Sequence, residues 1–364
     1  MTAPIALLSH FPGLAARVPW AALGNWPTPV EPLDALARQL GSSPLWVKRE
    51  DRAHPAFGGN KVRTLETLLA RAAEAGAQRV WATGAYGSNH ALCTAIHAPR
   101  VGLAAGALLV PQPLTATAAR NLRALYATDC RVVALRSAAE LPVATVAVCA
   151  RRDERAAVMT PGGAVPRGAL GHVSAALELA GQVAAGACPA PAAIVVACGS
   201  TCTAAGLSLG VHLAARLGIG WRDPPRIVAV RVTPWPVTSA AAIAALAAAT
   251  SRVLARHVGP VARVGLRPLR AAVEVDARFL GGGYGRPSRA GAAAAAQFAD
   301  AGGPPLDEVY SAKSAAAFVA RARAGAPGPL LYWASRSSAP QALATAGLPR
   351  HVRRWLAGPP ARPG

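Results

Sequence analysis

Acidic residues and lysines are both scarce in this chain. Only 17 Asp and Glu stand against 38 Lys and Arg, a net charge of +21 over 364 residues. Lys48, Lys61 and Lys313 are its three lysines, and arginines spread along the chain supply the remaining positive charge. So diffuse an excess attracts anions but offers no element that reads a nucleic acid, because no dense basic block or interleaved aromatic stripe accompanies it. Nucleic acid is therefore not an expected partner, and a coding bias towards arginine is the simpler source of the charge. Apolar runs of about 18 residues with transmembrane character are also lacking. The alanine-rich stretch 240–250 is too short and too weakly apolar, so no membrane contact is expected. The start, MTAPIALLSHFPGLAARVPW, lacks the charged opening and long apolar centre of a secretory signal. A soluble cytoplasmic protein is the expectation. The six cysteines include no CxxC pair and the eight histidines no HxxxH or HExxH pattern, which argues against a structural zinc site. They read as mostly buried thiols.

What the chain has is apolar bulk. At 52% apolar and 15% charged it can bury a large core, and global disorder is excluded. A prior of roughly 150 residues per domain gives two domains or one large one. Short β-branched runs alternate with alanine-rich stretches. The pattern predicts strands at 45–48, 79–83, 106–110, 131–135, 193–197, 227–232 and 330–333. Helices are predicted at 60–74, 88–99, 115–125, 168–183, 203–217 and 289–299. Such alternation predicts an α/β fold whose parallel sheet is covered on both faces. Ligands in such sheets bind at the carboxyl ends of the strands. The Pro/Gly-rich stretch 161–171 and the segment around Pro189 read as crossings between two lobes. The last residues, GPPARPG, read as a disordered tail.

The rarity of lysine makes each one informative. Arginine replaces lysine at most solvated positions, but its guanidinium stays protonated and cannot form a Schiff base. Lysine is then expected mainly where an amine must lose its proton. Lys61 follows Gly58, Gly59 and Asn60 and opens a predicted helix. There the positive end of the helix dipole disfavours the ammonium and lowers its pKa, as imine chemistry requires. A plain glycine turn followed by a surface lysine is the alternative.

Three further loops carry chemistry. Gly84 to His90 follows a predicted strand, so Ser88, Asn89 and His90 point from a helix N-terminus that can hold a carboxylate. Ser88 or Asn89 as an ordinary N-cap fits equally well. Gly199, Ser200, Thr201, Cys202 and Thr203 stand between a strand and a helix, with Gly206 further on. Small residues and hydroxyls there make a phosphate cradle, without the GK[ST] ending of a nucleoside-triphosphate loop. Late in the chain Tyr284 and Tyr310 lie in turn-like settings. A phenol orients a carboxylate or relays a proton, or simply packs with its hydroxyl on the backbone.

In this order the groups resemble one family, the pyridoxal-phosphate enzymes of the aminocyclopropane-carboxylate deaminase and D-cysteine desulfhydrase group. The resemblance runs from about residue 25 to 345. It rests on Lys48-Arg49-Glu50-Asp51 and on the segments 58–66, 83–90, 199–206, 283–287 and 307–313. It implies the tryptophan synthase β-like fold, two-lobed, each lobe a mostly parallel twisted sheet covered by helices. The large, discontinuous lobe would be 1–56 and 165–364, and the small lobe 57–164.

The resemblance also implies residue roles. Lys61 would carry pyridoxal 5'-phosphate as a Schiff base and move protons at the substrate Cα. Gly199, Ser200, Thr201, Cys202, Thr203 and Gly206 would hold the cofactor phosphate, and Asn89 its phenolic oxygen. Ser88, Asn89 and His90 would receive the carboxylate of a small amino-acid substrate. Ser88 would also handle a proton. Tyr284 and Tyr310 would line the substrate side as catalytic phenols. A homodimer is implied too. The expected activity is a D-cysteine desulfhydrase-like α,β-elimination giving a 2-oxo acid and ammonia. A non-catalytic cofactor- or metabolite-binding homologue, and a racemase or β-replacement enzyme, are the alternatives.

Departures from the family pattern are specific. Where it reads HTGGxP, this chain has Ser335 to Pro340, which puts Arg336 in place of a threonine near the pyridine nitrogen. An arginine there disfavours a protonated ring and weakens the electron sink. A small register shift would instead bring Ser335 or Ser337 to that position. Gly87 stands for the usual glutamine, Thr201 and Cys202 for smaller residues, and Ala312 for a glycine. His90 and Ser311 separate the chain from the cyclopropane-type deaminases.

Overall fold

Strands buried on both faces are expected to be unbroken apolar runs. The segment Ala193–Cys198 (AIVVAC) and the segment Leu330–Trp333 (LLYW) are such runs, buried at every position. The computed structural model describes residues 5–363. Its strands are β1 (Val30–Pro32), β2 (Leu45–Lys48), β3 (Arg79–Ala85), β4 (Ala104–Val110), β5 (Arg131–Ala134), β6 (Ala156–Met159), β7 (Ala193–Cys198), β8 (Arg226–Arg231), β9 (Val273–Asp276) and β10 (Leu330–Trp333). They form a six-stranded sheet, β1-β2-β10-β7-β8-β9, and a four-stranded sheet, β5-β4-β3-β6. Every pairing is parallel except that of β1 with β2. The chain starts the larger sheet, leaves after β2 to build the smaller one, and returns at β7.

Alternation along each strand sends neighbouring side chains to opposite faces. Ile194, Val196, Leu331 and Trp333 join one core cluster, while Val195, Leu330 and Tyr332 join another on the far face. In the smaller sheet Val80, Ala82 and Leu109 face one cluster, and Trp81 with Leu108 the other. All seven strands and all six helices predicted from the sequence are present, with ends shifted by a few residues at most. The unpredicted strands have weak signals for identifiable reasons. β1 is an edge strand of three residues with Pro32, which has no N–H to give a ladder. β6 (AAVM) resembles the surrounding alanine-rich helices, and β9 (VEVD) carries two acids.

The C-terminal segment differs from the expected free tail. The helix Arg350–Leu356 seats Val352, fully buried, in the cluster of the smaller sheet. Trp355 Nε1 donates to the Gln112 carbonyl at 2.7 Å, and the Ala361 amide donates to the Leu114 carbonyl at 2.7 Å. Among the described residues no helix is long and apolar enough to cross a membrane.

Candidate active site

The carboxyl ends of both sheets converge on one cavity of about 420 Å³. Thr83 to Ala85 end β3, Val110 ends β4, Cys198 ends β7, and Ser335 follows β10; all line it. This is where strand-to-helix loops of parallel sheets place their ligand groups.

Lys61 opens the helix Lys61–Glu74 and its side chain lines the cavity. Nζ donates to the Gly162 carbonyl at 3.3 Å. Its accessible surface faces the cavity, and burial lowers the ammonium pKa; the thiols of Cys202, Cys93 and Cys198 oppose this in part. Neighbours on the same helix fix its position. The Arg63 guanidinium lies between Glu50 (2.7 Å) and Glu178 (2.9 Å) and stacks 3.6 Å over the Trp26 ring. Glu178 also takes the Lys48 ammonium at 2.5 Å. The Glu66 carboxylate accepts the indole N–H of Trp20 (2.9 Å) and Trp26 (2.7 Å). The start of this helix is therefore held from two sides.

The phosphate-type cradle is the N-terminus of the helix Cys202–Arg216. The amides of Cys202, Thr203 and Ala204 have no carbonyl four residues back within the helix. Thr201 precedes them at φ 69°, the one non-glycine residue with positive φ among the described residues. Gly199 to Thr203 all line the cavity. Gly206 is not among the residues that line it. The Ala205 amide already bonds the Thr201 carbonyl at 2.9 Å, so the helical ladder has begun before Gly206. A Cβ there would lie 2.4 Å from the Ala169 carbonyl oxygen; this glycine serves helix packing.

Ser88 caps the helix Asn89–His97, its Oγ accepting the Ala91 amide at 3.2 Å, and it lines the cavity as well. The Asn89 Oδ1 accepts from Asn121 Nδ2 at 2.8 Å, which leaves the Asn89 amide nitrogen as a donor. His90 is buried with both ring nitrogens unpartnered, and burial with the nearby Lys61 pushes its pKa down to about 3. Tyr284 and Tyr310 join hydroxyl to hydroxyl at 2.7 Å, and burial raises both phenol pKa values. Asp307 turns its carboxylate back to the amides of Val309 (3.0 Å) and Tyr310 (2.7 Å), fixing the second phenol. Ser335 and Arg336 line the cavity, whereas the Ser337 Oγ accepts the Gly58 amide at 2.9 Å and faces away. Arg336 Nη1 donates to the Leu306 carbonyl at 3.4 Å and has no carboxylate partner among the described residues.

Some lining residues escaped sequence reasoning. Its sequence setting reads as a lobe crossing, yet Gly162 forms the cavity wall beside Lys61 at φ 65°. A Cβ on it would lie 2.3 Å from Ser200 Oγ and 3.4 Å from Lys61 Nζ. The paired glycines 162 and 163 were the available signal. Asn60 donates from Nδ2 to Thr203 Oγ1 at 2.8 Å, tying the lysine loop to the cradle. Its only signal was adjacency to Lys61.

A low-pKa amine, free helix amides and a neutral imidazole in one cavity define an enzyme site built for an anionic, carbonyl-bearing cofactor. The chain belongs to the pyridoxal-phosphate dependent enzyme family, which it matches over residues 21–332. It is 33% identical over 328 residues to a D-cysteine desulfhydrase of Salmonella choleraesuis (strain SC-B67), covering 87% of this chain and 93% of that one. It is 40% identical over 207 residues to the nocardicin C-9' epimerase of Nocardia uniformis subsp. tsuyamanensis, covering 55% of this chain and 61% of the epimerase. A crystal structure of an ACC deaminase homologue superposes with a TM-score of 0.71 at 28% identity, covering 92% and 95% of the two chains. The tryptophan synthase β-like fold and dependence on pyridoxal phosphate follow. The site fits that cofactor: the three free amides at the cavity wall are donors that a bound anion would satisfy.

Proposed function

We propose that this enzyme is a lyase that removes the Cα proton of an amino acid and expels its β-substituent. The products are a 2-oxo acid and ammonia, as in a D-cysteine desulfhydrase. The observation that carries this is the shared cavity of the Lys61 amine and the Tyr284–Tyr310 phenol pair. When bound, pyridoxal phosphate supplies the electron sink that makes the Cα proton removable.

The chain's own residues do the rest. Lys61, its ammonium disfavoured by burial, is available both to hold the cofactor and to take the Cα proton. Gly199 to Thr203 would hold the phosphate through backbone amides and hydroxyls. Asn89 would donate its free N–H to the cofactor's phenolic oxygen. Ser88 keeps its O–H as a donor while its lone pair caps the helix, and with the neutral His90 it receives the substrate carboxylate. Tyr284 and Tyr310, both neutral, supply a proton to the departing group. Lys61→Ala is expected to abolish ammonia release and the visible band that borohydride bleaches; full turnover in that variant would overturn the assignment.

A second reading is epimerisation at Cα. It is supported by Arg336, a cation without a carboxylate partner at the cavity wall, and by the similarity to an epimerase. If that cation meets the cofactor's ring nitrogen, as the family resemblance implies, it would oppose the ring's protonation, weaken the sink and favour return of the proton over loss of a β-group. Chiral analysis of recovered substrate in deuterated water separates the two: inversion with Cα deuterium and no 2-oxo acid selects epimerisation.

We further propose that the two sheets mark two lobes, 57–164 forming the small one, and that the chain acts as a cytoplasmic homodimer. Two sheets with separate core clusters support the lobes, and six free thiols suit a reducing compartment. The dimer rests on family resemblance, and sedimentation velocity tests it.

A further inference from the structure

Among the described residues the large apolar side chains left exposed are Val143, Val146, Trp235, Val237, Leu266 and Leu343. Four of the six lie on two segments, and each segment sends an apolar residue into the wall of the catalytic cavity. The helix Leu141–Cys149, after β5 of the smaller sheet, contributes Leu141. The turn after β8 of the larger sheet contributes Val237, itself 54% exposed, beside Trp235 at 72%.

Both supports are anchored. Thr233 Oγ1 and Thr238 Oγ1 donate to the Gly199 carbonyl at 2.9 and 2.8 Å, so the turn stands on pinned ends with Trp235 and Val237 between them. The helix packs Leu141, Ala144 and Val148 against Trp81 and Leu108. Apolar surface held out in water on fixed supports marks a binding position. Lys61, Ser88 and the phenol pair line the same cavity, and none of them belongs to these two segments.

We infer that the mouth between Leu141 and Val237 receives the distal part of the substrate side chain, an aryl or branched alkyl group larger than a thiol. This deepens the proposed elimination and rests on it. The substrate is then an amino acid whose β-heteroatom carries an apolar group. The Cα–H and Cβ–heteroatom bonds break, and the heteroatom leaves with the bonding pair and takes a proton. With one water consumed, the products are a 2-oxo acid, ammonia and the apolar thiol or alcohol.

The test is a binding series on the holoenzyme, using unreactive amino acids of both hands: alanine, norvaline, phenylalanine and homophenylalanine. For one enantiomer, affinity is expected to rise at least tenfold from alanine to homophenylalanine. Val237→Asn and Leu141→Asn are each expected to cut that ratio to threefold or less. Alanine binding as tightly as homophenylalanine overturns the inference, and this comparison needs no variant to fold. Variants that weaken every ligand equally indicate a lid closing on itself, and variants that change sedimentation with the ratio intact indicate contact between copies. Either result also overturns it. Ammonia assays on β-substituted amino acids test the lyase reading separately: silence there with the affinity ratio intact removes the elimination and keeps the subsite.

Discussion

Lys48, Lys61 and Lys313 share a side chain and differ in what their surroundings ask of it. Lys48 is fully buried and donates to the Thr28 carbonyl (2.7 Å), Gln182 (2.7 Å) and Glu178. Lys313, also fully buried, donates to the carbonyls of Leu280 (2.8 Å) and Gly283 (2.9 Å), holding the turn that presents Tyr284. Burial lowers its pKa to about 8. Both positions use a compact ammonium that fits among carbonyls where a planar guanidinium does not. The expectation that lysine persists where an amine must lose its proton is therefore too narrow: interior donation also retains it. Thr201 shows another local demand. Its φ of 69° places a β-branched residue in the left-handed region, a strain on the order of 1 kcal/mol. Thr201→Gly is expected to raise stability by about 0.5–1 kcal/mol, read as a higher denaturant midpoint with an unchanged slope.

At the scale of elements, three helices meet through absent side chains. A Cβ at Gly171 would lie 2.0 Å from the Arg63 carbonyl oxygen, one at Gly210 2.6 Å from Ala176 Cβ, and one at Gly206 2.4 Å from the Ala169 carbonyl oxygen. The helices Lys61–Glu74, Pro166–Ala184 and Cys202–Arg216 therefore sit closer than side chains would permit. This proximity brings the lysine and the cradle to the same cavity. Gly206→Ala is expected to push the third helix outwards. Overpacking of this kind costs about 1–3 kcal/mol. Because the N-terminus of that helix is the cradle, pyridoxal-phosphate affinity should fall as well. Chemical denaturation and a cofactor titration check the two effects; a variant with native stability and affinity would show that the packing has slack.

The whole molecule carries its acid sensitivity in buried histidines. Burial pushes His90 to about 3 and His97 to about 4, and holds His172 well below its ordinary value. Each is neutral in the folded chain but takes up a proton near pH 6.5 when unfolded. Their stabilising contribution is thus complete above about pH 6.5 and is lost as pH falls towards the folded values. Glu66 acts in the opposite sense, since burial raises it to about 7 and the folded state keeps its proton longer. His54 and His212 are lowered by burial too, and Asp307 is raised, so the depressed histidines outnumber the raised carboxyls and unfolding takes up protons as pH falls below about 6.5. Denaturant midpoints measured from pH 6.5 to 5 should fall accordingly, and a flat profile would contradict the neutral histidines.

Sequence alone determined the α/β class, the seven strong strands and the loops carrying Lys61, Ser88 and Tyr310, because period and loop chemistry are local properties. The loop motifs and their order also sufficed for the family resemblance. What only the tertiary structure decided concerns distant segments. Gly162 reached Lys61 from a hundred residues away, Ser337 turned to the Gly58 amide and left Ser335 and Arg336 at the cavity, and Gly206 went to packing. The apolar rim formed from two segments on different sheets. Such placements depend on which surfaces meet when the sheets and helices pack, and no short window of residues contains that contact.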